Sequence, residues 1–325
     1  MKKIYTLILV LSSLVLFSCS KAKVNSNGCF DNMDSALEQT KKSKQNILLI
    51  VTTGSDELSS QEFIDNVLNS PDFVDTIAKK YAVVNMDFSE ESYQKTVVKP
   101  DATKEEQQAS EEYSELMYKN ARIASLLSVQ STPAIYLFSK EMCFITEVVP
   151  DGNVRSPAEL ETAISKYNEK IEFVNEKVAA SNKGTVIEKV TAIDELFEAT
   201  DAVYKTFLIS YMDKVIQLDK KNESGLLNKY ILAKANAKAT EFFLEGNVED
   251  AIMCFISITN EAILTGEQKQ QAYYMAAYLL AMSGSVEFNR ICDYLQKAID
   301  SDPESQQVAG IEMFKSYVES VQVTE

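Results

Sequence analysis

Five cysteines, two adjacent serines and a complete lack of histidine set the chemistry open to this 325-residue chain. Without imidazole there is no Ser-His-Asp or Cys-His nucleophile, no histidine metal site and no histidine acid-base catalysis. Beyond Cys19 the cysteines are Cys29, Cys143, Cys254 and Cys292, and none stands in Cys-x-x-Cys spacing, so neither a zinc ribbon nor a vicinal redox pair is indicated. Four cysteines allow three disulfide pairings, and spacing does not choose among them. Ser59 and Ser60 are hydroxyls without a base to activate them. Ser59, with Glu62 three residues on, instead reads as a capping box, a helix start worth about 1 kcal/mol. No metal or cofactor site is expected from these residues.

The formal charge of -16 disfavours phosphate backbones, so nucleic acid is not an expected partner. The N-terminus predicts an export signal. Lys2 and Lys3 precede an apolar run from Ile4 to Phe17, which is shorter than the roughly 20 residues a membrane-spanning helix needs. Leu16-Phe17-Ser18-Cys19 resembles a bacterial lipobox. That resemblance implies a signal peptide over residues 1–18, lipid on Cys19, a polar tether over 19–28, and a body held at the bacterial cell envelope, outside the cytoplasm. Several acyl chains would anchor it stably, where one would not. Removing residues 1–18, which hold two lysines and no acid, takes the charge to -18.

Behind the tether the apolar pattern predicts a helix over Asp31 to Ser43 and a buried strand over Ile47 to Val51. A helix buries Phe63, Ile64, Val67 and Leu68, and Phe73, Ile77 and Tyr81 continue a second short one. Ala82 to Phe88 is another buried strand, which makes the strand-helix-strand unit a right-handed parallel crossover. A helix from Lys104 to Leu127, a hairpin of Ile135 to Phe138 with Cys143 to Val149, and a helix from Ala158 to Ala180 with Pro157 at its first position complete the unit.

Thr53-Gly54-Ser55-Asp56 and Ser70-Pro71-Asp72-Phe73 bracket this first turn and helix as they do in thioredoxin-like proteins, and the element order is similar to the thioredoxin fold. The intervening Glu57, Leu58, Ser59, Ser60 and Gln61 fall one residue short of the family pattern and hold no sulfur. The resemblance puts the first redox position on or near Leu58 and the second on Ser60 or Gln61. It also makes Thr132-Pro133 the counterpart of the cis-proline corner facing that pair. It implies an α/β thioredoxin-like domain over 29–171 with a candidate peptide-binding groove at Leu58, Ser59, Ser60, Thr132 and Pro133.

From about Glu172, proline occurs once more, at Pro303, and long helical patterns follow. Ala251 with Phe255, and Leu295 with Ala298 ahead of Pro303, recur at about 40-residue spacing and resemble tetratricopeptide repeats. Residues 172–325 are expected to be an all-α tetratricopeptide-like domain, with Tyr273, Tyr274 and Tyr278 as candidates for a concave face. The chain is therefore read as a redox-inactive, membrane-anchored lipoprotein that binds a protein or peptide as an adaptor or folding-related factor. The alternative from another class is a thiol-disulfide oxidoreductase working through Cys29 or Cys143.

Overall fold

The computed structural model describes residues 24, 25 and 27–322; the expected signal peptide, Cys19 and most of the expected tether lie outside the described residues. Helix α1 (Met33–Ser43) starts where Asn32 accepts the Ser35 N–H at 2.8 Å and ends with lysines beside its C-terminal carbonyls. Strand β1 (Asn46–Thr52) is buried from Ile47 onward on both faces, which is why its sequence is an unbroken apolar run rather than an alternating one. Helix α2 (Leu58–Phe63) widens into a π-turn over Ile64–Leu68, and a second π-turn spans Val74–Ala78. Tyr81, expected at the end of that second helix, opens β2 (Tyr81–Asp87) instead.

The remaining elements of this part are α3 (Glu90–Gln94), α4 (Lys104–Leu126), β3 (Ala134–Phe138), β4 (Phe144–Glu147) and α5 (Pro157–Ser165). The four strands lie in the order β2-β1-β3-β4, with β1 parallel to β2 and β3 antiparallel to both β1 and β4. This mixed sheet with helices on both faces is a thioredoxin-like domain. Because strand side chains alternate, Leu48, Ile50, Val83 and Leu137 face Phe63, Val67, Phe73 and Leu160. Ile47, Leu49, Val84 and Tyr136 face Met33, Ala36 and Leu127.

The helix expected from Ala158 to Ala180 is two helices, α5 and α6 (Asn168–Ala180). Tyr167 leaves helical geometry between them, and its hydroxyl accepts the Val149 N–H at 3.2 Å. The residue 171/172 boundary thus falls inside α6, whose Val174 and Val178 enter the same core as Ile145 and Ile164. Helices α7 (Val186–Ala199) and α8 (Ile209–Leu218) extend that core through Val190, Leu196, Met212 and Val215. The 3-10 segment Ala202–Leu208 between them covers the other face of the sheet. There Tyr204 stacks on Phe144 at 3.8 Å between ring centres, and Phe207 meets Phe138 edge-on at 5.2 Å.

Everything from α6 onward is helical. Helix α9 (Leu227–Leu244) carries Tyr230 into the first core and Ala235 and Ala239 into a second. That second core lies among α10 (Val248–Ile258), α11 (Gly266–Met282), α12 (Phe288–Ser301) and α13 (Val308–Gln322), each packed on the next. Ala251, Ala272, Ala276 and Ala298 are fully buried, and their small side chains let the helix axes approach closely. Leu295 and Phe255 fill the spaces beside them. Tyr274 stacks against Tyr278 and meets Phe314 edge-on, with Tyr278 still exposed to solvent.

Candidate functional site

The corner where β1 ends and β3 begins carries the site residues expected from the sequence. Beyond Thr52 the chain turns through Thr53 and a short 3-10 turn, Gly54–Asp56, before α2 starts at Leu58. Gly54 has φ +57, and a Cβ there would lie 2.6 Å from the Ser89 Cβ, so only glycine fits. Ser89 is itself held by Asp87, which accepts both its N–H and its hydroxyl at 3.0 Å and the Ser92 hydroxyl at 2.7 Å. Asp56 ties the turn to the same segment by accepting the Glu90 N–H at 2.7 Å. Facing the turn, the Thr132-Pro133 peptide bond is cis, as the resemblance implies.

Four hydroxyls and one carboxylate close this corner. Ser60 is fully buried; its Oγ accepts from the Thr53 N–H and hydroxyl, both at 3.2 Å, and donates to Thr132 Oγ1 at 2.8 Å. Thr132 Oγ1, 2.7 Å from Thr53 Oγ1, donates in turn to Glu57 Oε2 at 2.7 Å. Ser59 donates to the Thr132 carbonyl at 2.8 Å. Each of these protons is committed, and the chain of hydroxyls ends on an acceptor-only group. The capping box expected at Ser59 does not form. The N-cap is Glu57, without a side-chain cap bond, so Ser59 lies inside the first turn and reaches across to Thr132.

Beside this knot runs an open groove of about 610 Å³ walled by Thr53, Glu57, Phe88, Val129, Gln130 and Thr132. The backbone N–H groups of Gln130, Ser131 and Thr132 have no partner among the described residues. Of the five residues assigned to a groove, Thr132 lines it. Leu58 projects from the first turn at 74 % exposure, Ser59 and Ser60 are spent on Thr132, and Pro133 is half-buried. Phe88 and Val129 were not identified from the sequence, because they adjoin the corner only through the ends of β2 and α4.

The cysteines lie elsewhere. Cys29 and Cys143 are buried in the first core, and Cys254 and Cys292 are half-buried on α10 and α12. All four are free thiols. Burial pushes the Cys29 thiol up to about 12. It does the same to Cys143, outweighing the opposing hydrogen bonds from Tyr211 and Ser139. Among the described residues no three His, Cys, Asp or Glu side chains converge as metal ligands would.

Comparison with known proteins follows the same division. Residues 29–138 match a family model described as thioredoxin-like. Residues 226–324 match a model described as an uncharacterised protein C-terminal domain, starting where α9 leads into the second core. An uncharacterized protein of Treponema pallidum (strain Nichols) is 28 % identical over 124 residues, which is 38 % of this chain and 41 % of that protein. The chain thus spans about two fifths of that relative's length. No solved structure matches.

Proposed function

We propose that this chain is a non-catalytic protein-binding factor of the bacterial cell envelope, tethered by lipid on Cys19, whose thioredoxin-like corner receives an extended peptide segment. The observation that carries the reading is the closed knot of Thr53, Ser59, Ser60, Thr132 and Glu57. It occupies the place of a redox pair with groups that neither store electrons nor offer a free nucleophile. Beside it, the N–H groups of residues 130–132, without a partner among the described residues, supply what an added backbone needs, and such pairing requires no cysteine. Exposed Leu58 follows Glu57 of the groove wall in sequence and offers an apolar contact nearby.

The oxidoreductase alternative is disfavoured by the thiols themselves. At a pKa near 12 neither Cys29 nor Cys143 presents a thiolate, and both are shut off from solvent. The stacked helices α9 to α13, read as tetratricopeptide-like, would supply a second contact face at Tyr274 and Tyr278.

A photoreactive amino acid at Ser131 tests the groove. Ultraviolet crosslinking in cells should join it to a partner that the same group at Tyr118, on the outer face of α4, does not capture. Equal capture at both positions would refute a groove-specific role. Cys19→Ala tests the anchor separately: it should abolish acyl labelling and release the chain from membranes.

A further inference from the structure

A second opening lies away from the corner, between the sheet domain and the helices. It is a cleft of about 920 Å³ bounded by α1, α4, the β3-β4 turn, the 3-10 segment and α9. That volume lies within the range of small-molecule sites, which favour domain junctions. Its floor is apolar: Met33 and Leu37 come from α1, Ile123 and Leu126 from α4, Met142 from the turn, and Phe207 from the 3-10 segment. All but Met33 are only half-buried, so apolar surface is left facing the cleft.

Two polar features narrow the chemistry of a ligand. Asn120 lines the cleft at 2 % exposure, and its Nδ2 donates to the Asp31 carbonyl at 2.8 Å. Its Oδ1 is buried without a partner among the described residues. A buried acceptor left unmade is unfavourable, and a ligand donor would satisfy it. The rim is the second feature: Lys41, Lys119, Arg122 and Lys140 are matched by Asp34, Glu38, Glu141 and Glu241, so its charges balance and favour a neutral ligand. The site lacks a donor, not an acceptor.

We infer that the cleft between α1, α4 and the 3-10 segment binds a small neutral apolar molecule bearing an amine, its hydrocarbon body on Leu37, Leu126 and Phe207 and its N–H on Asn120 Oδ1. This site is separate from the Thr132 groove, so either can fail without the other.

N-phenyl-1-naphthylamine is the probe: it has two aromatic bodies, one N–H and no negative charge, and it fluoresces when it enters an apolar site. The full chain lacking only its signal and lipid should give a saturable signal. Its N-methyl derivative, which has no donor, should bind about tenfold more weakly, the scale of one hydrogen bond to a buried acceptor. Leu37→Arg and Leu126→Arg should each weaken the probe at least about tenfold with unchanged circular dichroism and thermal midpoint. Met142→Arg places the same charge at the mouth and replaces either variant that fails to fold. Asn120→Leu should bind probe and N-methyl derivative equally. The inference is overturned by absence of saturable binding to the native chain, by unchanged affinity in the folded arginine variants, or by a preference for the N–H probe that survives in Asn120→Leu.

Discussion

Replacing Cys19, Cys254 and Cys292 with serine leaves Cys29 and Cys143 as the only thiols, and an aromatic disulfide reagent then reports on those two alone. Burial raises each from an ordinary 9.0 to about 12. At pH 8 the thiolate fraction is therefore about 10⁻⁴ in the folded chain against about 10⁻¹ unfolded, so acidity alone slows reaction roughly a thousandfold. Full burial of both sulfurs slows it further. The native protein should show almost no release of the coloured thiolate over minutes, and guanidinium should release two equivalents. The same shift links to stability with a definite sign. A thiol whose folded pKa is raised contributes fully below pH 9, and that contribution is lost as pH climbs from 9 towards 12. Two units above 9, each thiol costs on the order of 3 kcal/mol. The Tyr211 phenol, pushed up by burial and then by its Cys143 neighbour, adds to the alkaline loss. Urea midpoints measured from pH 8 to pH 11 should fall steeply, and less steeply when Cys29 and Cys143 are both alanine. Stoichiometric labelling of either thiol in the native state at pH 8, with stability flat to pH 11, would refute this reasoning and revive the oxidoreductase reading.

Ser60→Ala removes three hydrogen bonds and leaves the Thr53 N–H without its acceptor; urea unfolding should show a loss of about 2 kcal/mol, with unchanged secondary structure by circular dichroism. Gly54→Ala forces a left-handed residue against Ser89, and a loss of about 1–3 kcal/mol is expected, measured the same way. Phe144→Ala empties the stack with Tyr204 and should cost about 3–5 kcal/mol; hydrogen exchange should then quicken in the 202–208 segment as well as in β4. A double-mutant cycle on Arg122 and Glu241, 3.1 Å apart between α4 and α9, should return a coupling of about 0.5–1 kcal/mol that shrinks in 1 M salt.

Sequence alone determined the elements whose signals are local. A short unbroken apolar run rich in Ile and Val, too short for a helix, reads as a strand buried on both faces, and β1 is one. The helix expected from Lys104 is α4, and the structure adds a capping box of Thr103 and Glu106 at its start, both halves within one turn. Ala251, Leu295 and Ala298 were legible as helix contacts because close-packed helices admit few other residues.

Tertiary structure decided the rest, wherever a distant group competes with a near one. Ser59 and Glu62 carry the same local pattern as Thr103 and Glu106, yet Thr132, 73 residues on, takes the Ser59 hydroxyl instead. The shift in composition near Glu172 is real, but α6 to α8 still pack on the sheet, because Phe138 on β3 and Phe144 and Ile145 on β4 would otherwise face water. Asn120 reads as one more polar residue on a long helix. Only the fold buries it beneath Asp31, with one oxygen left without a partner among the described residues.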